Sequence, residues 1–169
     1  MKAYDEAAGK FYSKINISPV PLVSWDIHSM NFYGLCEKGK DVILIQNIAE
    51  RNRWAYRKLD NLSLLDNEVV VITNNDLTIV HATGNIVSMT GYTPEEIIGN
   101  TPKLFQGEGT SQETLGKIKT AIERKIPFEA VVLNYKKDGS TYNCEIKAEP
   151  IFNNRGQLVN FIAFEKEVA

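Results

Sequence analysis

The sequence predicts an α+β fold: a five-stranded antiparallel sheet with short helices on one face, preceded by an N-terminal helical extension. Three observations lead there. From Asn67 onward, short β-rich pieces separated by turn residues run in the order strand, strand, helices, strand, strand, strand. The last three pieces alternate apolar and polar residues with a period of two, as a half-buried strand does. Over roughly the first 65 residues the apolar positions instead recur at three- and four-residue steps, the spacing of one helix face. The chain therefore divides into residues 1–65, a helical cap or dimerisation segment, and residues 66–169, the domain.

In the extension, Trp25, His28, Phe32 and Leu35 share one helical face. Ser24 suits the N-cap, Pro19 and Pro21 keep an earlier helix from running in, and Gly39 ends the segment. A second helix begins at Asp41. It carries Ile45, Ile48, Ala49 and Asn52 on one side, continued by Tyr56 and Leu59, with Glu50, Arg51, Arg53, Arg57 and Lys58 on its charged face. These helices cover the domain or meet a partner, and one segment can do both.

In the domain, strands over 69–73 and 77–82 flank the polar turn Asn74-Asn75-Asp76. Thr93-Pro94-Glu95-Glu96 starts a helix: a capping hydroxyl, proline at the first helical position, and acids at the positive end of the dipole, with Gly99 closing it. Thr110 to Glu113 offers another capping box, and Leu115, Ile118 and Ile122 then share one face of a longer helix ended by Pro127. Strands over 128–136, 140–151 and 158–167 follow, joined at Lys137-Asp138-Gly139 and Asn153-Asn154-Arg155-Gly156. Alternation puts Phe128, Ala130, Val132 and Asn134 on one sheet face with Tyr142, Cys144, Ile146 and Ala148. The opposite face carries Val131, Leu133, Tyr135, Ile162 and Phe164, an apolar patch that needs a cover from the N-terminal helices or a second subunit.

Composition narrows the function classes. A net charge of −2 argues against a dedicated nucleic-acid binder and against membrane binding through a basic face. No stretch approaches the ~18 consecutive apolar residues of a membrane span, and the start lacks a signal-peptide pattern, which places the protein in the cytoplasm. Cys36 and Cys144 fit a reducing compartment and, with His28 and His81, complete no metal-ligand spacing. No nucleophile–base pair, suitably placed carboxylate pair or Gly-rich phosphate loop is present, so a non-enzymatic role is expected.

The run Met89-Thr90-Gly91-Tyr92-Thr93-Pro94-Glu95-Glu96-Ile97-Ile98-Gly99 resembles the TGY-x-x-EE-x-x-G signature of PAS domains. From Gly99 to Glu165 the chain is similar to the LOV subclass, the flavin-binding blue-light sensors, in continuous register. Gln106-Gly107, Asn134-Tyr135, Gly139, Pro150, Gly156 and Phe161-Ile162 fall into place. The resemblance covers about the last 100 residues.

It implies a flavin site, carried over with changes. The photoreactive cysteine of that subclass corresponds to Pro102, which has no thiol, so the flavin–cysteinyl adduct cannot form there. The cofactor-binding asparagine before it is Thr101, the following arginine is Lys103, and the other phosphate-binding arginine is Lys119. Gln106 and Asn134 are retained, the second ring-binding asparagine is Cys144, and the glutamine beside flavin N5 is Glu165. Lysine meets a phosphate as a point charge without arginine's fork. Cys144 loses amide hydrogen bonds, at ~1–3 kcal/mol for a buried group left unpaired. Glu165 brings either a negative charge beside the ring or a proton that only a desolvating pocket retains. FMN affinity is thus weakened at Pro102, Cys144 and Glu165.

Plain structural roles stand beside each of these. Gln106 caps a turn, Asn134 satisfies strand-end backbone, Cys144 is a small core hydrophobe, and Lys103 and Lys119 are solvated charges. Glu165, on the inner face of a strand, still needs a partner, which Lys103 or Lys119 could supply. The expectation is a PAS signalling protein without cysteinyl-flavin photochemistry, binding a small ligand or a protein partner. It is a homodimer through the outer sheet face and N-terminal helices, and it signals in trans. The alternative is an FMN-binding photoreceptor that signals through flavin reduction. Haem fits less well, because His28 lies outside the domain and His81 matches no ligand position of the family.

Overall fold

The computed structural model describes residues 39–55 and 68–169, all within one compact unit, Cys36–Ala169. The helix expected over Trp25 to Leu35, the continuation through Tyr56 and Leu59, and the boundary near residue 65 lie outside the described residues.

Among the described residues, strands β1 (Val69–Asn74), β2 (Ile79–Ala82), β3 (Phe128–Tyr135), β4 (Thr141–Phe152) and β5 (Leu158–Val168) form one sheet in the order β2-β1-β5-β4-β3. Every pairing is antiparallel. Helix α1 spans residues 39–51. The segment between β2 and β3 holds α2 (Ile86–Thr90), α3 (Pro94–Ile97), a 3-10 helix (Pro102–Phe105) and α4 (Gln112–Arg124).

Local signals account for most boundaries. The Thr93 capping box forms in full, with Thr93 N–H donating to the Glu96 carboxylate at 3.0 Å. The cap of α4 differs from the expected one. Ser111, not Thr110, accepts from Thr114 N–H at 3.3 Å, because the Thr110 hydroxyl is drawn to the Leu133 carbonyl at 2.8 Å. Helix α4 closes two residues ahead of Pro127, at Lys125, which takes a left-handed conformation. Gly39, expected to end a helix, is itself helical in α1, and the helix expected before it lies outside the described residues.

The cross-strand register confirms the face assignment. Phe128 lies opposite Ala148, Ala130 opposite Ile146, Val132 opposite Cys144 and Asn134 opposite Tyr142, each pair from one predicted face. That inner face packs with Ile86 and Met89 of α2, Ile97 of α3 and Phe105 of the 3-10 helix. On the outer face Val70, Ile72 and Ile162 are buried against Ile45 and Trp54, with Val42, Ile48 and Ala49 of α1 closing over them. Residues 42–54 therefore cover the apolar patch along β1 and β5. Trp54 anchors it by donating from Nε1 to Asn160 Oδ1 at 2.9 Å, while Asn160 donates onward to the Thr73 carbonyl at 3.0 Å.

Among the described residues the cover stops short of β3. There the outer face is charged: Glu129, Lys147, Glu145 and Lys166 form a ladder with separations of 3.5, 3.7 and 2.7 Å. Val131 beside it remains 53% exposed.

Candidate ligand-binding cup

Strand alternation points one face of β3, β4 and β5 toward the helices between β2 and β3, which gives the sheet a concave inner side. Its packing is uneven. Around Val69, Val71, Ile79 and Ile86 it is fully buried. Toward β3 it loosens: Phe128, Ala130, Ile146 and Ala163 are only half-buried. Helix α4 lies along β3, and of its apolar stripe only Ala121 is buried, while Leu115, Ile118 and Ile122 stay half-buried. Among the described residues, apolar side chains on both walls are thus left half-exposed.

Polar groups collect beside that space. Asn134, Tyr142, Cys144 and Glu165 are all buried. Glu165 lies in a cross-strand row with Ala130 and Ile146 on one side and Val69 on the other. Its polar contact is the Cys144 thiol, which donates to Oε2 at 3.8 Å. Burial pushes the Glu165 carboxyl up to about 7, with the thiol hydrogen bond a smaller opposing influence. The same burial, reinforced by Glu165, raises the Cys144 thiol far above its ordinary value, so it is an un-ionised core group and not a reactive thiolate. The Tyr142 hydroxyl is also raised chiefly by burial, with its cross-strand neighbour Asn134 a smaller opposing influence. Sequence reading placed Tyr142 on this face but passed over its hydroxyl; a phenol two residues before Cys144 was the available signal.

The other predicted site residues are scattered. Thr101 and Pro102 are half-buried at the start of the 3-10 helix, and Gln106 is half-buried at its end, its N–H bonded to the Lys103 carbonyl at 3.0 Å. Lys103 is exposed, and Lys119 is exposed on α4 with Glu123 at 3.9 Å. Neither lysine pairs with Glu165. Among the described residues no cation does, so the partner expected for that carboxyl is replaced by burial and a thiol. The structure brings together Asn134, Cys144 and Glu165 and leaves the two lysines at the surface.

Two further features shape the surroundings. Gly107 is required by close approach: a Cβ there would meet the Tyr135 ring at 2.4 Å, and Gly109 N–H donates to the Tyr135 hydroxyl at 2.8 Å, which pins the loop before α4 to β3. An open hollow of about 380 Å³ lies on the surface beside Val87, Gly91, Lys136 and Lys137. Its lysines are already paired with Glu167 and Glu96, which leaves no unpaired charge to hold an anion.

Comparison with known proteins adds a family, two relatives and a solved structure. A PAS domain family model matches residues 67–168. Phototropin-2 of Oryza sativa subsp. japonica is 33% identical over 112 residues, 65% of this chain and 12% of that protein. A blue-light photoreceptor of Listeria innocua serovar 6a is 34% identical over 125 residues, 68% of this chain and 47% of that protein. The chain thus spans between about an eighth and a half of the length of these relatives. Among solved structures, a light-oxygen-voltage domain studied with a flavin analogue is 26% identical with a TM-score of 0.62, covering 68% of this chain and 87% of that one.

Proposed function

The chain belongs to the PAS domain family, in its LOV-like branch, and from that premise we propose that it is a sensory module that takes a small ligand into the cup without cysteinyl-flavin photochemistry. The observation that carries the proposal is the lining itself: half-buried apolar residues stand on both α4 and the sheet, next to the buried polar side chains of Asn134, Tyr142, Cys144 and Glu165. Pro102 supplies no thiol, so a cysteinyl adduct at that position is ruled out. Output would pass in trans, through a homodimer or another protein.

A second reading, an FMN-binding photoreceptor, is favoured by the buried Asn134 amide on the inner face and by relatives that are blue-light photoreceptors. On this reading a flavin would meet the following residues, with Cys144 and Glu165 the poorer fits. Asn134 and Tyr142 can meet its polar edge, Leu115, Ile118 and Ile146 its faces, and exposed Lys103 and Lys119 its phosphate as point charges. When bound, a flavin supplies visible light absorption and electron acceptance. An absorption spectrum of freshly purified protein, followed by reconstitution with FMN, decides between the readings. Flavin bands without a light-induced adduct support the second. A colourless protein that refuses FMN leaves a colourless small ligand. Thermal shift against a metabolite library that finds no ligand at all would overturn the sensory-cup proposal.

A further inference from the structure

Helix α1 is fastened at its two ends by bonds of different kinds. At the C-terminal end the described bonds join un-ionised groups: Trp54 Nε1 donates to Asn160 Oδ1 at 2.9 Å, Ala55 N–H to the Phe152 carbonyl at 2.9 Å, and Asn154 N–H to the Arg53 carbonyl at 3.0 Å. At the first turn the fastening runs through a carboxylate. Asp41 Oδ2 accepts from Gly84 N–H at 3.0 Å, while Oδ1 stands 3.7 Å from His81 Nε2. The turn that presents Gly84 is held to β1 without help from α1. Thr83 Oγ1 accepts from Val70 N–H at 2.9 Å, and Asn85 donates to the Glu68 carbonyl at 2.9 Å.

His81 is 5% exposed, and among the described residues its Nε2 has no hydrogen-bond partner, since 3.7 Å to Asp41 is too long for one. Ile72 lies opposite it on β1 and packs with Ile45 and Val42 of α1 and Ile162 of β5. Among the described residues Asp41 is the charged group that acts on the imidazole; Lys40 beside it is exposed, and Thr83, Gly84 and Asn85 beyond β2 carry no charge. A neutral imidazole fits this seam. An imidazolium brings a buried cation whose Nε2–H has no acceptor in range, and one carboxylate already bonded to Gly84 does not offset the lost hydration. Two responses are open: Asp41 turns from Gly84 to His81, or the first turn lifts and water reaches both charges. Each gives up the Gly84 bond, and the second also restores hydration. Desolvation lowers His81 below its ordinary value despite Asp41, in keeping with a closed seam that disfavours the proton.

We propose that Asp41, His81 and Gly84 form an acid-released latch: when His81 takes up a proton, the first turn of α1 leaves β2, while Trp54 keeps the far end of the helix in place. The cover of the outer face then opens from one end, with the Trp54 end as its hinge. The latch lies on the face opposite the cup and does not depend on what the cup binds.

Amide hydrogen exchange on the full chain, corrected for the intrinsic rate at each pH, tests this. Between pH 7.5 and pH 5 the exchange of residues 41–46 is expected to rise about tenfold, because the open form takes the proton at the ordinary value of 6.5 and the closed form does not. Residues 49–55 should not change. His81→Gln should hold the first turn's exchange flat over the same range. Asp41→Asn keeps an acceptor for Gly84 N–H and removes the carboxylate that partly offsets the proton, so its rise should be at least as large as in the unaltered chain. A flat first turn in Asp41→Asn assigns the acid response to Asp41 and overturns the role of His81. Exchange that is unchanged or slower at pH 5 in the unaltered chain, or that rises equally at both ends of α1, overturns the latch.

Discussion

The two faces of the sheet solve opposite problems with similar material. The outer face along β1 and β5 is closed: Trp54, Ile45 and the α1 stripe bury it, and Trp54 and Asn160 exchange hydrogen bonds with the strands beneath. The inner face is more loosely packed toward β3, with half-buried apolar residues beside the buried polar groups Asn134, Tyr142, Cys144 and Glu165.

Removing the largest piece of the closed face is the most severe way to break this contrast. Trp54→Ala should cost ~3–5 kcal/mol, from lost packing and from the unpaired Asn160 amide, seen as a lower urea midpoint. An equally large loss from Ile118→Ala, on the loosely packed wall of the cup, would erase the distinction between the faces.

The next effect is a difference in pH response. Glu165 is raised from 4.5 to about 7 in the fold, so its contribution is intact below pH 4.5 and is lost as pH climbs through 7. Glu165→Gln should therefore be more stable than the unaltered chain at pH 8, by up to about 3 kcal/mol at ~1.36 kcal/mol per unit. On the outer face His81 has the reverse sign. It is buried 3.7 Å from Asp41 of α1, and desolvation lowers it below 6.5 despite the attraction of that carboxylate. Its contribution is present above pH 6.5 and is lost as pH falls below it. His81→Gln should flatten the acid side of a stability–pH curve and Glu165→Gln the fall in stability between pH 4.5 and about 7. Identical curves for the two variants would defeat the comparison.

The smallest effect belongs to the uncovered half of the outer face. Glu145→Gln breaks the ladder through Lys147 and Lys166, yet exposed pairs of this kind contribute little and are screened by salt. No shift in the urea midpoint is expected beyond experimental error at 0.5 M salt.

Much of this was legible in the chain itself. The side-chain period of two assigned the facing residues of β3 and β4 correctly, and the Thr93 capping box forms as read. Both are short-range consequences of backbone geometry. The helix cap at Ser111 was missed because its competitor, the Leu133 carbonyl, arrives from a strand more than twenty residues away. The same holds for the site. The sequence named Asn134, Cys144 and Glu165 as neighbours of a ligand, and could state that Glu165 needs a partner, but not which one. That answer waited on the sheet order, in which β5 inserts between β1 and β4 and sets Glu165 between Val69 and Ile146. Which face a residue takes follows from local chain geometry. The environment of a buried charge is a sum over neighbours that only non-local pairing assembles, and that sum decides the protonation of Glu165.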